Sequence, residues 1–287
     1  MIPPNDIAAA AQLACLLEVS APKPGNVSPG RHFADTRYED FLASAAAIGA
    51  PLAGAGTRPL GATIRLAIEA TARWTRSNTN LGIVLLLAPL ARAAAELGQI
   101  PELRGSKIKA AVGRTLEATT VEDARDVYAA IRLAAPGGLG RADAQDVAGE
   151  PTMTLLEVMR LAADRDGIAS EYATGFEVTF GAGVPALSRA RREGLSWDDA
   201  IVETFLTLVA ASPDTHVARR AGVDAARGVS VRAAAALAAG GVRSDEGRRA
   251  IREMDTAMRD PRNSANPGTA ADLTAAAIFV MLLTGEW

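Results

Sequence analysis

The sequence predicts an all-α protein, a single compact multi-helix domain of about a dozen helices spanning residues 1–287. Three observations carry this. Apolar residues recur at helical spacing almost throughout, while strict alternation is nearly absent. Aromatic residues make up only 4% of a chain in which the hydrophobic set reaches 49%, so Ala, Leu, Val and Ile must fill the interior, and such small side chains suit closely packed helices. No fixed-period repeat and no long Ser/Gly/Pro linker divides the chain, which speaks against a solenoid and against separate domains.

In chain order, apolar periodicity places helices at 5–20, 38–50, 59–76 and 80–98, the last built on the uninterrupted apolar run from Leu81 to Leu90. Further helices follow at 104–115, 121–133, 152–172 and 174–192. Within the last of these, Phe176–Phe180 can be argued as a short strand, but neighbouring Tyr172 and Leu187 fit helices better. The remaining helices are expected at 196–211, 214–228, 230–240, 244–260 and 268–284. Asp214 is placed to cap one of them; Asn266 as N-cap with Pro267 at the first helical position opens the last.

Composition narrows the function classes. A net charge of -3 and the lack of Lys/Arg clusters exclude a nucleic-acid surface. The one cysteine, Cys15, lies among Leu13, Leu16 and Leu17 and reads as an inert core thiol. The N-terminus MIPPNDIAAA lacks the basic region of a signal peptide. The apolar runs at 81–91 and 273–285 fall short of the ~20 residues that cross a bilayer. The expectation is a soluble, cytoplasmic protein with no membrane partner. A homodimer is left open, since helices such as 273–285 can pack inside a monomer or across an interface.

The chemistry lies in the breaks between helices. The first, "EVSAPKPGNVSPGRHFAD" at 18–35, sets Lys23 between two prolines that restrict the backbone on both sides, follows with Gly25, and then carries His32 and Asp35. It reads as a stiff helix terminator or as a wall aiming an ammonium at an anion. "RSNTNLG" at 76–82 places Asn78, Thr79 and Asn80 before an apolar helix, either as a plain N-cap or as a phosphate seat using free N–H groups and the positive end of the helix dipole. "SPDTHVARR" at 212–220 offers Asp214 as a cap or a metal-binding or basic carboxylate. Arg219 and Arg220 are surface arginines or bidentate phosphate ligands, and His216 lacks a second histidine for a zinc site. In "NPGTAADL" Asp272 falls inside an almost wholly apolar helix, where an unpaired charge would cost several kcal/mol or shift its pKa upward. It needs an arginine, a set of backbone amides or a cation. The loop "APGGLGRADAQDVAGEP" at 135–151 matches neither Walker A nor the dinucleotide fingerprint; Asp166 and Glu177 near a later junction are minor candidates.

Taken in order, these breaks resemble those of the triphosphoribosyl-dephospho-CoA synthase family over nearly the whole chain. "PKPGNVS" is similar to its Pro-Lys-Pro-Gly-Leu-Val-Asp motif, with Asn26 and Ser28 in place of Leu and Asp. "SNTNLG" resembles its Asn-Thr turn, "SPDTHVARR" its Asp-Thr…Arg segment, "NPGTAADL" its Pro-Gly-Gly-Ala-Asp-Leu start to the final helix, and "RHFADT" more loosely its His-x-Asp segment. The resemblance implies a transferase that moves the triphosphoribosyl unit of ATP onto the ribose 2′-hydroxyl of dephospho-CoA and releases adenine. Alternatives are the same chemistry on a pterin-type (methanopterin-like) one-carbon carrier, an all-α Mg²⁺-dependent nucleoside triphosphate hydrolase, or a nucleotide-binding protein without turnover.

For such a transfer, cleavage of the adenine–ribose bond builds positive charge on the sugar, as in glycoside hydrolysis. Lys23, Arg219 and Arg220 are then expected on the triphosphate, with Gly25 admitting a phosphate and residues 78–80 adding N–H donors. Mg²⁺ would bridge phosphate oxygens and carboxylates, with Asp214 and Asp272 as metal or base candidates and Asp35 next. His32 is expected to protonate adenine.

Overall fold

The computed structural model describes residues 2–98 and 105–287. Its elements are α1 (Pro4–Ser20), α2 (Tyr38–Ala47), α3 (Gly49–Ala53), α4 (Leu60–Ala72), α5 (Leu81–Leu97), α6 (Gly105–Glu117), α7 (Val121–Ala134), α8 (Leu155–Ala162), α9 (Gly167–Thr174) and, after a π-helical turn at Thr179–Gly183, α10 (Val184–Arg192). There follow α11 (Trp197–Ala211), α12 (Thr215–Ala221), α13 (Val223–Ala238), a 3₁₀ turn at Gly241–Arg243, α14 (Asp245–Met258) and α15 (Gly268–Leu283). Among the described residues there is no strand, only an isolated bridge between Ser28 and Arg31. The all-α expectation holds. No helix among the described residues is long and apolar enough to cross a membrane.

The two most apolar helices form the centre. Most residues of α5, including nearly all of Leu81–Ala94, and nearly all of α15 are buried, so both must be surrounded. They pack on each other; α1 lies across both, and α11, α10 and α9 close the far side of α15. α4 and α7 pair, with Gly61 so near Asp123 that a side chain there would strike the Asp123 backbone at 2.5 Å. The consequence for function is geometric: the first turns of α5 and α15 start side by side, next to the end of α1.

Several boundaries differ from expectation, each for a local reason. The span 152–172 is two helices, because Asp166 turns the chain and caps α9, its Oδ1 accepting the amides of Ile168 (2.9 Å) and Ala169 (3.0 Å). The span 174–192 does not begin as an α-helix: Gly175 and Phe176 take positive φ, and the buried Glu171 carboxylate accepts the Val178 and Thr179 amides, drawing the chain into the π turn. The break expected near 229 lies at Gly222, whose φ of 92° separates α12 from α13. The span 38–50 divides at Ile48 and runs on to Ala53. Asn266 does not cap α15, which opens at Gly268 without a side-chain cap from its own segment. The start expected at residue 104 lies outside the described residues.

Candidate active site

A cavity of about 640 Å³ opens where the helix starts converge. Its walls come from the end of α1 and the following loop, the turn before α5, α7, α8, the loop 135–147, the start of α9, α12 and the start of α15. The lining divides by chemistry. An apolar set comprises Val127, Ile131, Leu155, Val158 and Met159; a polar and charged set comprises Glu18, Asp272, Asp166, Arg165, Arg219 and His216. This volume suits a nucleotide-sized ligand.

Of the residues singled out in the sequence, Asp35, Asn78, Thr79, Asn80, Arg219, Arg220 and Asp272 line the cavity, and Lys23, Gly25, His32 and Asp214 do not. Asn78 Oδ1 accepts the Leu81 amide (3.1 Å), which fastens the first turn of α5. The Thr79 hydroxyl bonds Ser44, and Asn80 Nδ2 donates to Thr71 Oγ1 (3.0 Å). Ser77 Oγ donates to the Asp35 carbonyl (2.8 Å), tying the first break to the second. Because the Leu81 amide is taken, those of Gly82 and Ile83 are the next free donors of this helix end, and both residues border the cavity.

Asp272 is the most exceptional group. Its carboxyl reaches the cavity from the second turn of α15 and has no hydrogen bond or ion pair among the described residues. It fits against the start of α5 only because position 82 is glycine: a Cβ there would lie 2.0 Å from Asp272 Oδ2. Burial pushes its pKa well above the carboxylate range, the charges of Glu18, Asp214 and Asp166 add to the rise, and Arg219 opposes it. These surroundings favour its protonated form.

Asp214 serves as the helix cap the sequence allowed, and not as a metal or base group on the cavity. It is buried off the cavity, and both its oxygens are used: Oδ1 accepts the His216 (2.8 Å) and Val217 (3.1 Å) amides, and Oδ2 accepts the Ala270 amide (2.8 Å). One carboxyl thus caps α12 and fastens the first turn of α15, replacing the missing Asn266 cap. Burial raises its pKa to about 6 against the pull of those three amides. The pair Asp214 and Asp272 therefore does not fit a protein-held Mg²⁺, and the described residues contain no cluster of three His, Cys, Asp or Glu side chains suited to a metal.

The first break is also rearranged. Lys23 is buried and points inward, its Nζ 2.9 Å from Glu18 Oε1 and donating to the Glu18 and Ala21 carbonyls. Two flanking prolines aim the ammonium at the C-terminal end of α1, where carbonyls and a carboxylate await it. Gly25 takes φ 74°, donates its amide to Asp255 Oδ1 (2.8 Å), and leaves no room for a side chain, since a Cβ would sit 2.6 Å from Met258 Cε. Glycine is needed for the turn against α14, not for a phosphate. His32 is exposed outside the cavity, with Nδ1 accepting the Tyr38 amide (3.1 Å). The histidine on the cavity is His216, whose pKa burial and the nearby Arg219 and Arg220 depress to about 4, leaving it neutral near pH 7.

Arg219 pairs with Asp166, yet its Nε is buried without a partner among the described residues, as is Asn266 Oδ1. Arg220 donates to the Arg262 carbonyl at the rim. Sequence reasoning passed over Glu18, although its signal was present: a carboxylate on the last turn of an apolar helix, five residues before a lysine locked between prolines.

The family described as ATP:dephospho-CoA triphosphoribosyl transferase (CitG) matches residues 4–287. The chain belongs to that family. Among curated relatives, a protein from Pseudomonas putida described as a 2-(5''-triphosphoribosyl)-3'-dephosphocoenzyme-A synthase is 37% identical over 114 residues, 40% of either chain. One from Klebsiella pneumoniae with the same description is 33% identical over 119 residues, 42% of either chain. The chain thus spans about two fifths of the length of the curated relatives it matches. A solved structure from Archaeoglobus fulgidus, described as a triphosphoribosyl-dephospho-CoA synthase, superposes with a TM-score of 0.64 at 28% identity, covering 85% of this chain and 99% of that one. Of the two departures in the PKPGNVS stretch, Asn26 lines the cavity, while Ser28 is buried off it, its backbone paired with Arg31.

Proposed function

We propose that the protein transfers the triphosphoribosyl unit of ATP to a ribose hydroxyl of dephospho-CoA, releasing adenine. The observation that carries this reading is Asp272, a carboxyl without a partner among the described residues, set in the same nucleotide-sized cavity as Arg219 and Arg220. Family membership supplies the reaction class.

In this reading the triphosphate lies along Arg219, Arg220 and the free amides at the start of α5, a combination of guanidinium forks and helix-end donors suited to phosphate oxygens. Mg²⁺ enters as the counter-ion of ATP and belongs to the substrate. Adenine is a poor leaving group unless it is protonated as the bond to C1′ breaks. Asp272, held protonated by burial and by its anionic neighbours, is the general acid for that step. His216, neutral near pH 7, offers the base a hydrogen bond rather than a proton. The apolar wall of α7 and α8 excludes water from the sugar cation, which would otherwise be hydrolysed.

The test is to incubate the protein with ATP, Mg²⁺ and dephospho-CoA and follow free adenine by chromatography. Adenine formed only when dephospho-CoA is present supports the reading. Adenine formed only with a different ribosylated acceptor keeps the chemistry and changes the substrate; no adenine with any acceptor refutes it.

A further inference from the structure

The cavity is lined by four carboxyl groups, Glu18, Asp35, Asp166 and Asp272, and their surroundings set them apart. Asp166 is consumed: one oxygen caps α9 and the other takes the Arg219 guanidinium. Asp35 is exposed, adjoins the Thr36 hydroxyl (3.2 Å), and its backbone carbonyl is held by Ser77. Asp272 lacks any cation partner among the described residues. Glu18 alone pairs one oxygen with a buried ammonium and leaves the other, Oε2, without a hydrogen bond among the described residues. Burying a lysine so completely is costly unless it is paired and its N–H groups are satisfied, as the Glu18 carboxylate and two carbonyls do here.

The pair is also built rigidly. Lys23 Nζ is held by the carboxylate and by two carbonyls at the end of α1. The loop behind it is pinned to α14, where Asp255 binds the Gly25 amide, Arg31 and Arg259, and Arg259 donates to the Asn26 carbonyl (2.7 Å). Nothing in phosphate binding requires this arrangement, since Lys23 does not reach the cavity. It fixes the position of the Glu18 carboxylate.

We infer that Glu18 is the catalytic base that takes the proton of the acceptor hydroxyl, and that Lys23 is its positioning residue. The inference rests on the transferase reading above. The hydroxyl proton passes to the unbonded oxygen of Glu18 while the hydroxyl oxygen forms its bond to C1′ of the ATP ribose. The C1′–N9 bond breaks with its electron pair going to adenine, and adenine takes the proton of Asp272. The products are neutral adenine and the triphosphoribosylated acceptor. Glu18 then carries one proton more and Asp272 one fewer, and passing that proton from Glu18 to Asp272 restores the starting state. Two carboxyl groups with divided roles of this kind are what glycosyl transfer to an oxygen requires.

The experiment compares unmodified protein with Glu18→Gln, Lys23→Met and Lys23→Arg, measuring ATP affinity by calorimetry and adenine release with ATP and dephospho-CoA across pH. Glu18→Gln should keep ATP affinity within about threefold while kcat falls ~100- to 10,000-fold, the range for a lost general base. Lys23→Met should lower kcat while ATP affinity is kept, and Lys23→Arg should restore kcat, as expected of a residue that acts by holding the Glu18 carboxylate in place. The other titratable groups facing Glu18 are Cys15 on its own helix and Asp272 on α15, unchanged in all three variants. If Lys23→Met does not fold, Glu18→Gln decides, because its amide oxygen still accepts from Lys23. Glu18→Gln retaining more than about a tenth of the normal kcat overturns the role of Glu18 while leaving the transferase reading intact. A normal kcat in folded Lys23→Met, or no rescue by Lys23→Arg, overturns the role of Lys23. No adenine release by the unmodified protein removes the transferase reading, and this role with it.

Discussion

Replacing Gly82 with alanine sets two effects of opposite sign against each other. In a helix, alanine is favoured over glycine by up to about 1 kcal/mol, so propensity alone predicts a more stable protein. At this position the new methyl would lie 2.0 Å from Asp272 Oδ2 and 2.6 Å from its Cγ. Ordinary contact begins near 3.4 Å, so the carboxyl must retreat by more than 1 Å. It is hemmed in by buried α5 and α15, and overpacking of this kind costs about 1–3 kcal/mol. The clash wins: Gly82→Ala should lose about 1 kcal/mol net, read as a lower midpoint in urea unfolding. Displacing a catalytic acid by about 1 Å can cost on the order of 100-fold in rate, read as adenine release at saturating substrates. Gly228→Ala is the control, because a Cβ there meets nothing within 4 Å, and it should gain roughly 0.5–1 kcal/mol. Gly82→Ala matching the control in stability, with normal turnover, would refute the placement of Asp272.

Three further outcomes are expected. His216 has its pKa lowered to about 4, so the unfolded chain takes up its proton first as pH falls; its contribution is complete above the unfolded value of 6.5 and is lost toward pH 4. Asp214, raised to about 6, has the opposite slope over nearly the same window, so His216→Gln should be relatively more stable than the unmodified protein at pH 4 than at pH 7, by about 3 kcal/mol in denaturant titrations. Arg219→Met should weaken ATP binding roughly 10- to 100-fold by calorimetry, as loss of a charge-assisted hydrogen bond to phosphate predicts. His32→Ala should leave kcat within about twofold, because His32 stands outside the cavity and general acid–base roles are worth far more than that.

The helices were legible because α5 and α15 leave no ambiguity: apolar runs this long can only be central helices. The turns that carry polar groups were legible too, since Asn78, Asp214 and Asp272 all stand at helix starts. Which way each side chain points was not. Asp214 and Asp272 look alike in the sequence, yet one is saturated by three amides from two helices and the other is left bare. That difference depends on Ala270 lying beside α12, a contact between residues 56 positions apart. Lys23 reads as a phosphate ligand because a lysine between prolines is well aimed; the target, Glu18, is visible only once the loop has turned back on α1. Similarly, Gly82 attracts no notice until Asp272 is placed against it.

The account stands most directly on the fate of the bond between adenine and ribose. With limiting ATP and excess dephospho-CoA, mass spectrometry should find one triphosphoribosylated acceptor for each adenine released, with the three phosphates still joined on the product. ADP, phosphate or pyrophosphate appearing with adenine still attached to its ribose would contradict it.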